Sequence, residues 1–280
     1  MDRDALHSRA REKGVNIVLY WFARSILQPF FLLYFRMSRK GMDNIPKSGP
    51  VIIAPNHRSF LDPFVIGCCI NRPIYFVAKK ELFSNKLAGW CLNRLGAFPV
   101  NRDKGDAEML ATAEAILARG DSVMIFPEGT RVRPGPLGKP KTGAARLSLV
   151  SGAPVIPVAA IGTEAIRKGF RFRPHKVRIL IGKPLHFPKV QKEEVTPNLA
   201  ISVTDRIWEP VRLQWEILGG VAPLRKVAVV GAGSAGTALA VLLARAKVDV
   251  FLACRNADQA ELLEQRRENE SYLPGVVLPD

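Results

Sequence analysis

Short, almost wholly apolar runs alternate along the chain with stretches in which apolar positions recur every three or four residues, the patterns of strands and helices. The runs 51–55 (VIIAP), 74–78 (IYFVA), 97–100 (AFPV), 122–126 (SVMIF), 155–161 (VIPVAAI) and 177–181 (VRILI) read as strands. Runs so apolar suit strands buried on both faces. Between them the spacing predicts helices over 62–70, 81–94, 106–119, 141–151 and 197–217, the last started by Thr196-Pro197 and a candidate for a kink at Pro210. Strands alternating with helices predict an α/β fold: one largely buried sheet with flanking helices. Residues 131–141, RVRPGPLGKPK, hold too much Gly and Pro for regular structure and read as an exposed basic loop.

Residues 15–35 are rich in aromatic and aliphatic side chains but carry Arg24 in the middle and Gln28-Pro29 after it. A spanning helix needs about 20 mainly apolar residues and penalises a central Arg by roughly 2.5 kcal/mol or more. The segment therefore predicts two short helices hinged near Pro29 and lying in a membrane interface, with Tyr20, Trp21 and Tyr34 at headgroup depth and basic flanks near lipid phosphates. The competing reading is an ordinary pair of core helices. No small-residue cleavage pattern of a secretory signal follows.

Charge divides the chain in two. Of 41 Lys+Arg and 25 Asp+Glu, seven of each lie after position 220, so the whole excess of sixteen positive charges belongs to the first part. A basic domain attracts nucleic acid, anionic lipid or a phosphorylated small molecule. The basic residues are interleaved with apolar strands, and neither zinc-finger spacing nor a lone basic helix occurs, so no nucleic-acid partner is expected. Cys68, Cys69, Cys91 and Cys254 match neither a disulfide framework nor a metal site and read as reduced, buried thiols of a cytosolic setting. Gly219-Gly220-Val221-Ala222-Pro223 reads as a linker. The expected organisation is membrane-interface helices over 1–40, a catalytic domain over 41–219, a linker over 220–225 and a second unit over 226–280.

NHRSFLD follows the strand VIIAP directly and puts His57 at a strand end, where loops collect catalytic residues. A turn can bring Asp62 back to one ring nitrogen of His57, fixing the tautomer and leaving the other nitrogen to take a proton from a hydroxyl. Alone, the pair reads equally well as a loop cap and a helix cap. Ser59 is a candidate enzyme nucleophile, placed too near His57 in sequence for easy alignment. GAFPVNRD delivers Arg102 after a strand, and FPEGTR delivers Glu128 and Arg131 around Gly129 after another. Ligands of open α/β sheets gather at the carboxyl ends of strands, and guanidinium forks match phosphate geometry.

With these blocks in order, and VIPV at 155–158 after them, residues 40–190 resemble the glycerolipid acyltransferase family, in particular its 1-acylglycerol-3-phosphate acyltransferases. The resemblance implies that His57 is the base on a glycerol hydroxyl and Asp62 its partner. It implies that Arg102, Glu128, Gly129 and Arg131 bind the phosphorylated acceptor, with Lys141 of KTGAARLS helping to hold its phosphate. It further implies lysophosphatidate and an acyl thioester as substrates, the latter as acyl-CoA or on acyl carrier protein. No cofactor or metal is expected for the transfer, and the expected place of work is the cytoplasmic face of a membrane, held peripherally or monotopically. The alternatives are another acceptor, such as glycerol 3-phosphate or a lysophospholipid, a non-catalytic membrane- or nucleotide-binding module, and a hydrolase using Ser59.

In the second unit, KVAVVGAGSAG places Gly231, Gly233 and Gly236 in GxGxxG spacing between a strand and a helix over 234–246, followed by the strand VDVFLAC. This is part of a Rossmann βαβ unit, whose glycines let a pyrophosphate approach the helix N-terminus. Arg255, where an acidic residue would suit NAD, favours NADP. GAGSAGTALA and SYLPGVVLPD resemble the N-terminus of NAD(P)-dependent glycerol-3-phosphate dehydrogenase, with Ala235 where that family commonly carries an aromatic residue. About sixty residues cannot close a doubly wound sheet, so no dehydrogenase activity is expected of this stretch alone. The competing reading is a βαβ piece that only packs.

Overall fold

In a computed structural model, residues 3–100, 107–132, 135–168, 171–220, 226–246 and 248–279 are described. The chain divides into two compact units, Met1–Val221 and Ala222–Asp280.

The first unit begins with helices α1 (Arg3–Glu12) and α2 (Ile17–Tyr34) and the short strand β1 (Ser38–Lys40). It continues through β2 (Val51–Pro55), α3 (Asp62–Cys69), β3 (Ile74–Lys79), α4 (Lys86–Arg94), β4 (Ala97–Val100), α5 (Ala107–Ala118) and β5 (Ser122–Met124). There follow α6 (Gly143–Ser151), β6 (Val155–Ile161), a short antiparallel pair β7 (Arg167–Lys168) and β8 (Arg171–Phe172), β9 (Arg178–Ile181) and α7 (Pro197–Ile217). Seven strands form one sheet in the order β1-β9-β6-β2-β5-β3-β4. The five from β6 to β4 are mutually parallel, and β9 with β1 runs the other way.

Every residue of β2 is buried, and its alternate side chains enter two cores. Val51 and Ile53 join Val65, Ile66 and Phe31 beneath α3 and α2. Ile52 and Ala54 join Ile116, Leu147 and Val203 beneath α5, α6 and α7. The chain thus leaves β2 towards one face and its neighbour β5 towards the other. The crevice between such diverging loops is where open α/β sheets bind ligands.

The N-terminal pair of helices is present, but its break lies before Asn16 rather than at Pro29. Gly14 adopts φ +69° there, and the Asn16 side chain caps α2 by accepting from Leu19 N–H. Helix α2 runs unbroken through Pro29, held before the proline by Arg24 and Gln28 and after it by buried Phe31. Arg24 donates to the carbonyls of Gly67 and Ile70 and to Asn71 Oδ1, and Gln28 donates to the Cys68 carbonyl. These two polar side chains satisfy the orphan carbonyls at the C-terminus of α3, a use for Arg24 that hydropathy alone does not suggest. Pro210 likewise leaves α7 unbroken, with buried residues from Ala200 to Trp215 on both sides of it. The helix expected over 81–94 is a 3₁₀ turn, Lys80–Phe83, followed by α4, because Asn85 caps a fresh start by accepting from Leu87 and Ala88 N–H.

The second unit holds parallel strands β10 (Lys226–Val230) and β11 (Asp249–Ala253) around α8 (Ser234–Arg245), then α9 (Ala257–Arg266) and a hairpin of β12 (Glu268–Asn269) with β13 (Leu273–Val277). The hairpin takes up the segment SYLPGVV.

Candidate active site

Asn56 fixes the end of β2. Its side-chain amide donates to the Ala160 carbonyl at 3.0 Å and accepts from Ala160 N–H at 2.7 Å, pairing with β6 as a peptide would. His57 therefore leaves the sheet from a locked position. Its Nδ1 lies 2.9 Å from Asp62 Oδ2, and the same oxygen accepts the backbone N–H groups of Arg58 and Ser59, each at 2.7 Å. Asp62 opens α3, followed by Pro63, and is almost wholly buried. The carboxylate is thus both the cap of its own loop and the partner of the histidine. An Asp62-bound Nδ1–H leaves Nε2 as the basic nitrogen. Nε2 has no hydrogen-bond partner among the described residues. The imidazole stacks on Phe126, with ring centroids 3.9 Å apart.

Ser59 does not align with this base. Its hydroxyl accepts from Leu61 N–H at 3.3 Å and makes no hydrogen bond to the His57 ring.

The loop after β5 is stitched to the same place. Glu128 is buried, and its two oxygens accept His57 N–H at 2.6 Å and Gly138 N–H at 2.7 Å. Val132 N–H donates to the His57 carbonyl, Lys141 N–H to the Pro127 carbonyl, and Arg58 Nη2 to the Gly135 carbonyl. Arg58 also lies over the Trp215 ring of α7, 4.9 Å from its centroid. The stretch expected as a free basic loop is in its described part bound to the histidine segment. Gly129 has φ +68°, and a Cβ there would come within about 3.0 Å of the Lys141 side chain. Glycine at this position lets the lysine lie along the turn, while Arg131 beside it is exposed and makes no side-chain hydrogen bond or ion pair among the described residues.

The site residues expected from sequence thus divide. His57, Asp62, Glu128, Gly129 and Lys141 come together, and Arg131 stands at the rim on the same turn. Arg102 lies outside the described residues. Glu128 spends both oxygens on backbone donors, so in this structure it braces the site. Asn56, Phe126, Arg58 and Trp215 were not singled out from sequence. Asn56 precedes the histidine in the motif, but nothing local signals Trp215.

Burial pushes the Glu128 carboxyl above its ordinary value, against the pull of the His57 and Gly138 N–H groups and the nearby Arg58. A carboxyl raised on folding contributes stability that is complete below its unfolded pKa and is lost as pH rises through the folded one. Thermal unfolding of wild type and Glu128→Gln from pH 4.5 upward should show the Tm difference moving in favour of the glutamine variant as pH rises. A difference independent of pH would contradict the buried, raised carboxyl.

In the second unit Gly231 adopts φ +102°, and a Cβ on Gly236 would meet the Gly231 carbonyl oxygen at 1.9 Å. Among the described residues nothing approaches within 4 Å of the position a Cβ would take on Gly233, which caps α8 without a side chain. The turn is shaped as a pyrophosphate cradle requires: one glycine for the backbone turn, one left open, one for close helix packing. Buried Asn269 donates to the Ala232 carbonyl and Thr237 Oγ1, pinning the turn to the hairpin. Arg255 is exposed just past the end of β11.

The parallel part of the sheet thus carries a buried histidine–aspartate pair at its carboxyl edge, with Lys141 and Arg131 on the neighbouring turn. Residues 36–161 match the acyltransferase family, and residues 226–280 match the N-terminus of NAD-dependent glycerol-3-phosphate dehydrogenase. The 1-acyl-sn-glycerol-3-phosphate acyltransferase of Bacillus subtilis is 31% identical over 200 residues, which cover 68% of this chain and 96% of that protein. The chloroplastic enzyme of the same name from Arabidopsis thaliana is 31% identical over 186 residues, 64% of this chain and 51% of that one. This chain therefore spans about half the length of the chloroplastic relatives it matches. The fold is that of the 1-acyl-sn-glycerophosphate acyltransferase crystal structure from Thermotoga maritima, with TM-score 0.57 and 23% identity over 77% of this chain and 88% of that one. The second unit is 59% identical over 56 residues to a glycerol-3-phosphate dehydrogenase of Desulfitobacterium hafniense, 20% of this chain and 16% of that protein. The chain belongs to the acyltransferase family that includes these 1-acyl-sn-glycerol-3-phosphate acyltransferases, and it carries a dehydrogenase-like dinucleotide segment after that domain.

Proposed function

We propose that this protein moves an acyl group from an acyl thioester to the free hydroxyl of 1-acylglycerol 3-phosphate, giving phosphatidate. The observation that carries the reading is the His57–Asp62 pair, with Nε2 unoccupied and no hydroxyl of the described residues aligned to it. His57 Nε2 takes the proton of the acceptor hydroxyl as its oxygen attacks the thioester carbonyl. The tetrahedral oxyanion collapses, the C–S bond breaks, and the imidazolium returns its proton to the departing thiolate. Asp62 stabilises the imidazolium between these two transfers. Arg131 and Lys141, with Arg102, hold the acceptor phosphate. Lysophosphatidate is favoured over other acceptors by the similarity to enzymes of that name. A groove of about 330 Å³ lined by Leu27, Phe30, Phe31, Phe35, Leu61 and Phe64 ends beside the Asp62 loop and suits an acyl chain. The donor is acyl-CoA or acyl carrier protein.

The protein works at the cytoplasmic face of a membrane, held peripherally or monotopically by α2, an 18-residue helix of mean hydropathy 1.4 with only 11% of it buried. In the second unit, Gly231, Gly233 and Gly236 would cradle a dinucleotide pyrophosphate and Arg255 a 2′-phosphate, which favours NADP.

Arg131→Ala tests the phosphate role. Losing one charge-assisted contact to a phosphate should raise the acceptor KM by about tenfold or more with kcat little changed. Steady-state kinetics with unchanged acceptor affinity would remove Arg131 from the site.

A further inference from the structure

Beyond the N-terminal helix, the turn and helix that follow β3 leave large apolar side chains exposed. Leu82, Leu87 and Trp90 are 54%, 73% and 42% exposed within nine residues of sequence. Their scaffold is fixed from behind. Phe83 is buried, Gly89 packs on it closely enough that an added Cβ would lie 3.1 Å from the Phe83 backbone, and Asn93 donates to the carbonyls of Leu6 and Ala97. With Gly89 and Asn93 facing inward, helical spacing turns Leu87, Trp90 and Arg94 towards another side. The Arg94 guanidinium lies over Trp90, 4.0 Å from the ring centroid.

Charge and position narrow the partner. Exposed Lys79, Lys80 and Lys86 flank these apolar residues against the single acid Glu81, itself paired with Lys79 at 3.4 Å. Aromatic and aliphatic side chains interleaved with lysines suit the boundary between headgroups and acyl chains of an anionic bilayer. Strand β3 is parallel to β5, which is parallel to β2, so Lys79 lies at the sheet edge that also delivers His57. The element adjoins α2: Asn16 N–H donates to the Arg94 carbonyl at 2.9 Å, and Leu95 lines a cleft with Tyr20 and Ala23 of α2. On α2, Val18 and Phe22 are exposed as well.

We propose that residues 80–94 form a second bilayer contact beside α2, seating Leu82, Leu87 and Trp90 at the headgroup boundary while Lys79, Lys80 and Lys86 meet lipid phosphates. This rests on the membrane reading of α2 and extends it. The contact holds the carboxyl edge of the sheet, and so His57, against the surface that supplies a lipid acceptor. Deleting the N-terminal helices would then weaken attachment without abolishing it.

The test is co-sedimentation of the full chain with phosphatidylcholine vesicles containing phosphatidylglycerol. Leu82→Glu with Leu87→Glu should lower partitioning about tenfold or more. Ile201→Glu with Leu213→Glu, the same charge change at exposed positions of α7, on the sheet face opposite α2, should leave it unchanged. Lys80→Glu with Lys86→Glu should weaken binding most at low salt, as a surface charge attraction requires. All three pairs change exposed side chains, and matching circular dichroism verifies the fold. Wild-type binding with the leucine pair behaving like the α7 pair would overturn this proposal alone. If wild type itself stayed in solution, the membrane reading of α2 would fail and this one with it.

Discussion

His57→Ala should reduce kcat/KM for acyl transfer by about 10²- to 10⁴-fold while leaving acceptor affinity nearly unchanged. The base acts only as the acceptor oxygen attacks, so its loss appears in turnover. The alanine also empties the space against Phe126, a change expected to cost about 1–3 kcal/mol of stability. Activity must therefore be compared below the variant's melting range. If thiol release were retained in a folded His57→Ala protein, the proton would be taking another route.

Asp62→Asn should reduce kcat by about 10²- to 10⁴-fold with the backbone loop kept in place. The amide oxygen can still accept from the N–H groups of Arg58 and Ser59, which hold the turn at 2.7 Å each. What it loses is the negative charge that stabilises the imidazolium. The substitution separates the two roles this carboxylate combines. A residue that merely caps its loop would tolerate the amide with full activity, whereas the partner of a base would not. The Oδ1 atom is buried without a partner among the described residues, so placing an amide N–H₂ there should add a stability loss of about 1–3 kcal/mol, measurable by denaturant melts. Kinetics and melts together assign the residue.

The His57–Asp62 contact was legible in the sequence because its parts are close along the chain. Five apolar residues before Asn56 announced a buried strand, and Asp62 followed at the start of a helix, so a single turn could close the geometry. The strands 51–55, 97–100 and 155–161 and the helix 197–217 were readable to their ends for a related reason: burial on both faces or one periodic stripe leaves a local mark. Long-range contacts leave none. Arg24 looked like an obstacle in an apolar segment, and only the fold brings it to the open carbonyls at the end of α3. For Glu128 the sequence does not show that its two oxygens accept the backbone N–H groups of His57 and of Gly138, the latter on the returning 135–141 stretch. Trp215 sits in a helix whose apolar stripe reads as core, with nothing local to tell that Arg58 lies over it. Pro29 and Pro210 both lie inside continuous helices, and at Pro29 the expected hinge between two helices is absent. The proline penalty of about 3 kcal/mol is a local quantity, and packing along the rest of each helix outweighs it.

The central claim is that the attacking oxygen belongs to the acceptor and is deprotonated by His57. Purified protein supplied with an acyl thioester and 1-acylglycerol 3-phosphate, with thiol and phosphatidate followed together, tests this directly. The expected result is thiol release only when the acceptor is present, matched one for one by phosphatidate and lost in His57→Ala. Thiol release without acceptor, yielding free fatty acid, would contradict it, as would equal phosphatidate formation by the wild type and the alanine variant.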